Sequence, residues 1–225
     1  MIALMIISIG AIMYSAGTYY RYEQWEEYIT LVEHVKLSTI RLIQISLANY
    51  TAPGNNSTLK ANLDQWQNDL KKAYPGYGVI LTYDLANGSY QAYNTKINYT
   101  LGLARRWNEN ASFSAANATF TLNIASIGLT GYEFTTAPFL NLTLINIDNA
   151  AKEITVTVKA EDGTPITNLK EDNFQVSNLT ITGVTPHYDP KELLKYIIKC
   201  DGIIQAPVTV RVWDQRGIKV IAKNT

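Results

Sequence analysis

Asparagine is the residue type whose spacing in this chain most clearly points to chemistry. The sequon Asn-x-Ser/Thr, in which the asparagine amide accepts an N-linked glycan, occurs nine times, whereas this composition gives about three by chance. The candidate acceptors are Asn49, Asn55, Asn56, Asn87, Asn98, Asn110, Asn117, Asn141 and Asn178. Glycans are transferred on the outer side of a membrane, so the excess predicts an extracellular glycoprotein. The alternative is that Asn and Thr favour turns and exposed strands.

Residues that could support catalysis or metal binding are few and scattered. His34 and His187 lie far apart, and Cys200 is the single cysteine, so no metal-ligand spacing is present. The pair Glu26-Glu27 is more typical of a solvated helix surface than of an acid/base dyad. No nucleophile-elbow, zinc-protease or phosphate-loop motif occurs. We therefore expect no enzyme activity, no metal and no cofactor apart from covalent N-glycans.

The charge composition argues against a nucleic-acid partner. Charged residues make up 17% of the chain and the formal net charge is zero. Phosphate neutralisation requires clustered Lys and Arg, and no basic block extends beyond a dipeptide.

The first 52 residues contain no proline and predict one helix of about 50 residues. Residues 1–20 are apolar nearly all round, whereas residues 21–49 are amphipathic. The apolar positions of the second half recur at three- to five-residue steps, at Trp25, Ile29, Val32, Val35, Ile40, Ile43 and Leu47. The segment Thr51-Ala52-Pro53-Gly54 is a strong stop. We therefore expect an assembly helix over residues 1–50, as a domain of its own.

Residues 51–225 are expected to form a β-rich head. The spacing of Leu59, Leu63, Trp66 and Leu70 predicts a short helix over residues 57–73. From residue 77 onward, apolar and polar residues alternate in several short runs, which is typical of antiparallel strands. A hairpin is predicted around Asn87-Gly88, and residues 193–199 could be a strand or a helical turn. The predicted fold class is α+β, with an antiparallel, Ig-like β-sandwich over residues 77–225.

The apolar N-terminal segment is compatible with a signal peptide, a membrane anchor or an assembly element. No basic residue precedes it and Tyr19, Tyr20, Arg21 and Tyr22 follow it, which disfavours a cleaved signal. A simple anchor is length-compatible, but Arg21 would place the following side in the cytoplasm, where the sequons could not be glycosylated. Both constraints are met if a short basic leader preceding Met1 is removed during maturation.

A mature chain that begins with an apolar helix, continues as an amphipathic helix and ends in a sequon-rich β-sandwich resembles a type IV pilin, and is most similar to the archaeal pilins and archaellins. The resemblance covers the architecture of the whole chain. Bacterial pilins carry Glu at the fifth mature position, where this chain has Met5; archaeal members generally lack that Glu.

The resemblance implies a structural subunit of an extracellular adhesive filament, embedded in the membrane before assembly and then packed against identical subunits through its helix. What the head binds, whether a surface or a glycan, is left open. The alternatives are a membrane-anchored monomeric adhesin or receptor, an archaellin that serves motility, and, least favoured, a secreted hydrolase. The residues expected to pack in the filament core are Ile2, Met5, Ile6, Ile9, Gly10, Met13, Gly17, Tyr20, Trp25, Ile29 and Val32.

Overall fold

The fold is α+β, as predicted, with two helices and antiparallel strands. The computed structural model describes residues 2–52, 59–92, 95–189 and 192–224; side chains are described from residue 26 onward, except those of residues 189, 192 and 193. The chain divides into two compact units, residues 1–40 and residues 41–225.

Helix α1 runs from Ile2–Thr51, which agrees with the proline-free stretch that predicted it. The first compact unit is the part of α1 up to residue 40, and the last 11 residues of the helix belong with the β-rich unit. Within these residues Ile43 and Leu47 are fully buried. Thr51 is buried as well, and its hydroxyl donates to the Ala48 carbonyl at 2.8 Å and accepts from the Lys219 amide at 3.1 Å. The end of α1 is therefore a fixed part of the head.

Helix α2 spans Leu59–Ala73, close to the predicted range, of which residues 57 and 58 lie outside the described residues. Leu59, Leu63 and Leu70 are buried on one face, as their spacing predicted. The amide of Asn62 donates to the Ser46 hydroxyl on α1 at 2.8 Å. Gln67 Nε2 donates to the Leu81 carbonyl on strand β1 (residues 79–85) at 2.7 Å. These two hydrogen bonds hold α2 against α1 and β1.

In the ranges that the structure describes, fourteen strands follow the helices: β1 Val79–Leu85, β2 Gly88–Ala92, β3 Thr95–Tyr99, β4 Leu103–Arg106, β5 Ala111–Ala116, β6 Ala118–Ile124, β7 Leu129–Thr136, β8 Phe139–Asp148, β9 Glu153–Lys159, β10 Phe174–Val176, β11 Ile181–Asp189, β12 Glu192–Cys200, β13 Thr209–Trp213 and β14 Lys219–Lys223. Their alternating burial, for example in β6 and β14, follows the period-two pattern of the sequence. The segment 193–199, which the sequence left undecided, is part of strand β12.

The strands form four sheets within the described residues. The largest has six strands in the order β11-β12-β9-β8-β5-β4; two others have three strands, in the orders β1-β6-β7 and β10-β13-β14, and β2 pairs with β3. Strand β14 packs against β5 and β8, so the β10-β13-β14 sheet lies against the six-stranded sheet. The hydroxyl of Ser114 on β5 is buried and donates to the Lys219 carbonyl on β14 at 2.6 Å, which joins the two sheets.

The hairpin predicted around Asn87-Gly88 is wrong. Strand β1 pairs with β6, and β2 pairs with β3. The physical reason lies in burial: β1 alternates buried and exposed side chains and has an apolar face to contribute, whereas β2 is exposed along almost its whole length. The Asn87 side chain also accepts a hydrogen bond from the Leu101 amide at 2.8 Å, which ties the turn to a distant loop and not to a partner strand.

Candidate functional site

The sequon asparagines fall into groups that differ in exposure. Those with exposed side chains and no side-chain hydrogen bond among the described residues are Asn98, Asn110 and Asn178. Those that are half-buried are Asn49, Asn117 and Asn141. Asn87 is exposed, but its amide donates to the Leu85 carbonyl at 3.1 Å. Asn55 and Asn56 lie outside the described residues.

Asn98 and Asn178 have the geometry most open to a glycan. Their sequon hydroxyl residues, Thr100 and Thr180, are exposed along with the asparagines. Asn178 also stands in the left-handed backbone region at φ 59°, in the turn after β10, and Asn tolerates such turn positions well. A sugar attached to either amide would extend into solvent without displacing a protein contact within the described residues.

Asn110 and Asn141 are more constrained, because both involve the buried Ser112. Ser112 is the hydroxyl residue of the Asn110 sequon, and its Oγ donates to the Glu109 carbonyl at 2.8 Å. Asn141 donates to the Ser112 carbonyl at 3.2 Å and accepts from the Thr143 hydroxyl at 3.0 Å. A glycan at Asn141 would have to break this inter-strand arrangement.

Most of the residues expected to pack in the filament core, those from Ile2 to Trp25, lie outside the range in which the structure describes side chains. Ile29 is 59% exposed and Val32 is half-buried. Further along α1, Leu37 and Ile45 are each more than half exposed. Exposed large aliphatic side chains on a helix are positions at which a partner could bury apolar area.

The residues considered for catalysis do not converge. His34, His187, Glu26 and Glu27 are all exposed, and the part of the chain with described side chains holds no group of three His, Cys, Asp or Glu residues placed to bind a metal ion. Cys200 is buried, and this burial, with a smaller contribution from the nearby Asp201 charge, raises the pKa of its thiol. A raised pKa keeps the thiol protonated and weakly nucleophilic.

A partly buried ion network lies at the β13–β14 turn, in which the Asp214 side chain is covered and that of Glu161 is 41% exposed. The Arg216 guanidinium contacts Asp214 at 2.6 Å and Glu161 at 2.8 Å, and also donates to the Phe139 carbonyl at 3.1 Å. Asp214 is almost fully buried, and its other oxygen accepts the amides of Arg216 and Ile218, each at 3.0 Å. Burial opposes the arginine charge, but the two carboxylates outweigh it and hold the pKa of Arg216 above its ordinary value.

This geometry assigns the network a structural role. Both carboxylates form ion pairs with the same guanidinium, so neither is placed as a free general base. Asp214 closes the turn through backbone amides, and Arg216 connects that turn to β8 and to the loop after β9.

A second cluster combines aromatic rings with cations, and we call Tyr50, Arg105, Trp107 and Lys219 the cation stack. The Arg105 guanidinium lies 5.0 Å from the Tyr50 ring centroid and 5.0 Å from the Trp107 ring centroid. The Lys219 ammonium lies 5.4 Å from the Trp107 centroid. These distances are within the range of favourable cation–π contacts.

Hydrogen bonds to the buried Ser114 hydroxyl on β5 hold the cation stack in place. Trp107 Nε1 donates to the Ser114 hydroxyl at 3.0 Å, and that hydroxyl donates in turn to the Lys219 carbonyl at 2.6 Å. Arg105 itself is exposed and Lys219 is half-buried. Burial, together with the charges of Arg211 and Arg105, lowers the pKa of Lys219. The cluster is therefore a fixed, electropositive spot on the head.

Neither cluster could be predicted from the sequence, because the residues of each cluster are distant from one another along the chain. The cation stack joins positions 50, 105, 107 and 219, and the ion network joins positions 161, 214 and 216. The only local signal was the dipeptide Arg105-Arg106, whose second member contacts the Phe113 ring and not the stack.

Within the part of the chain whose side chains are described, no helix has both the length and the apolar character that a bilayer crossing requires. The apolar segment for which a membrane stage was expected, residues 1–20, has no described side chains. No protein-family model, no curated protein and no solved structure matches the chain.

Proposed function

We propose that this chain is the structural subunit of an extracellular helical filament of the archaeal type IV pilus kind, with no enzymatic activity. The N-terminal helices pack as the filament core, and the heads, folded as Ig-like β-sandwiches, form the outer surface. The subunit resides in a membrane before assembly. An archaellin is built in the same way and differs in what the assembled filament does.

The single observation that carries this proposal is the 50-residue helix α1, of which the part up to residue 40 forms a compact unit separate from the β-rich unit. A helix of about 11 to 12 residues is usual in globular proteins. A helix four times longer, apolar over its first 20 residues, has apolar surface that copies of the same helix can bury.

Exposed aliphatic side chains on α1 support the same conclusion. Ile29, Leu37 and Ile45 are each more than half exposed in a single chain. Burying a large aliphatic side chain contributes roughly 1.5–3 kcal/mol. In a helical polymer each such contact is heterologous and is repeated at every subunit, so an open filament results.

The proposal is tested against a permanently anchored adhesin by shearing cells that make the protein. A filament subunit is released by shear and pellets at high speed as long polymers in the absence of detergent. An anchored receptor stays with the membrane fraction and is released only by detergent, and that distribution would refute the filament.

Glycosylation of the head is part of the proposal, and the exposure of the asparagines supports an order among the candidate acceptors. We expect glycans at Asn98 and Asn178, and none at Asn141, whose amide is engaged between strands. Asn98→Gln and Asn178→Gln should each lower the intact mass by one glycan in mass spectrometry, whereas Asn141→Gln should not.

The matched control is Asn149→Gln, an exposed asparagine outside any sequon. Glycopeptides that carry sugar at Asn141 but not at Asn98 or Asn178 would contradict the ranking. A chain without any glycan, purified from its natural source, would contradict the glycoprotein interpretation as a whole.

A further inference from the structure

The cation stack has no acidic partner in the part of the chain whose side chains are described. Among the described residues no carboxylate forms an ion pair with Arg105 or Lys219, whereas Arg106 next door contacts Glu109 at 3.2 Å. The nearby Arg211 donates to the Gln175 side chain at 3.0 Å and adds a third positive charge. Positive groups gathered without a counter-charge repel one another, so an anion that binds there gains free energy.

The geometry of the stack selects the chemical class of that anion. A sugar ring that binds an aromatic residue lies flat on an open face of the ring. Here Tyr50 is covered by Arg105, and Trp107 has both Arg105 and Lys219 within 5.4 Å of its centroid. The aromatic rings therefore orient cations. The Arg105 guanidinium can bind a carboxylate through two hydrogen bonds, and the neighbouring Lys219 ammonium can bind a second one. The anion expected here therefore carries two adjacent carboxylates.

The chain itself carries such a pair of carboxylates on α1. Glu26 and Glu27 are adjacent and exposed, and Glu23 precedes them in the sequence at spacings of three and four residues. Their charge complements the cation stack.

We propose that the cation stack of one subunit binds the Glu26–Glu27 turn of a second copy of this chain. The inference rests on the proposed filament and names one of its subunit contacts. The contact is heterologous, because the two surfaces differ, so it repeats from copy to copy along a polymer. It also sets the register, since a helix displaced by one turn would lose the charge complementarity between the two surfaces.

Charge reversal tests the contact at the level of assembly. Arg105→Glu with Lys219→Glu, and separately Glu26→Lys with Glu27→Lys, should each reduce the pelletable polymer at least ten-fold after detergent removal. Mixed in equal amounts, the two variants should recover most of the wild-type polymer, because each stack then meets a helix of opposite charge. The control Lys71→Glu with Lys96→Glu reverses two exposed lysines elsewhere and should assemble normally.

Variants that assemble like the wild type, or a mixture that fails as its components fail, would overturn the proposal. Thermal unfolding of the head, measured on each variant, ensures that lost assembly does not reflect lost folding. The altered side chains are exposed or half-buried, so the head should unfold within a few degrees of the wild type.

Carbodiimide cross-linking tests the contact without requiring filaments. The reagent activates a carboxylate, and the Lys219 amine then displaces it to form an amide bond, with the reagent leaving as a urea. In an equal mixture of ¹⁴N- and ¹⁵N-labelled chains, we expect peptides joining Glu26 or Glu27 of one label to Lys219 of the other. Lys219→Arg keeps the charge but removes the amine, so it should retain assembly and lose the cross-link.

The outcomes separate the two proposals. Mixed-label cross-links without polymers would refute the filament and leave the contact standing. Polymers without the cross-link, or with Lys219 joined only within one label, would refute the contact alone. If the stack instead retains the chain on an acidic polysaccharide such as polygalacturonate, and charge reversal abolishes that retention but not assembly, the occupant is a polysaccharide and the proposal is wrong.

Discussion

Asparagine at positions 6, 9 and 13 is expected to abolish assembly while the head stays folded. Ile6, Ile9 and Met13 stand at helical spacing in the apolar segment and are among the residues expected in the filament core. Each substitution removes roughly 1.5–3 kcal/mol of burial. Each also places an amide in an apolar contact, where an unsatisfied group costs about 1–3 kcal/mol. Because these costs recur at every subunit, polymer should be absent at any accessible concentration.

Sedimentation after detergent removal measures this effect, and near-ultraviolet circular dichroism reports the head. The matched control carries leucine at the same three positions, which preserves apolar character and approximate volume. That control should pellet as the wild type does. A triple-asparagine variant that still forms filaments would show that residues 6–13 do not lie in the core.

The second large effect concerns stability. Arg216→Met is expected to destabilise the head by about 3–5 kcal/mol, the usual cost of removing one partner from a buried ionic network. The substitution leaves Asp214, which is only 4% exposed, and Glu161 without their shared cation. For a domain of this size the melting temperature should fall by about 10 °C.

Denaturant unfolding, followed by circular dichroism, measures the loss. The control is Lys199→Met, which breaks the exposed Lys199–Glu153 pair at 3.3 Å and should cost less than about 1 kcal/mol. If Arg216→Met cost no more than Lys199→Met, the network would not connect the turn to β8 as its hydrogen bonds indicate.

The helices were predictable from local sequence. A proline-free run followed by Pro53-Gly54 located the end of α1, and the spacing of Leu59, Leu63 and Leu70 located the buried face of α2. Both features depend on residues within a turn or two of one another, so periodicity alone is sufficient. Alternation located strands such as β6 for the same reason.

Strand pairing and the two charge clusters were not predictable in this way. Strand β1 pairs with β6, more than thirty residues later in the chain, and the choice depends on which strands have an apolar face to bury. The cation stack brings together Tyr50 and Lys219, which lie near opposite ends of the sequence of the head. No local pattern records such a contact, because folding alone brings these residues together.

Sequons could be counted but not ranked from the sequence. Asn98 and Asn141 match the same motif, yet one is exposed on β3 and the other is hydrogen-bonded to the neighbouring strand. Both asparagines alternate with buried neighbours along their strands. The difference arises from strand pairing, because β8 lies between β9 and β5 whereas β3 pairs with β2 in a two-stranded sheet, and this pairing is not recorded in the motif.

Electron microscopy of the full-length chain, purified and freed of detergent under native conditions, tests the central claim most directly. The account predicts uniform helical filaments with residues 1–40 packed around the axis and the glycosylated heads outside. Dispersed monomers or detergent micelles alone, with no filament at any concentration, would contradict it.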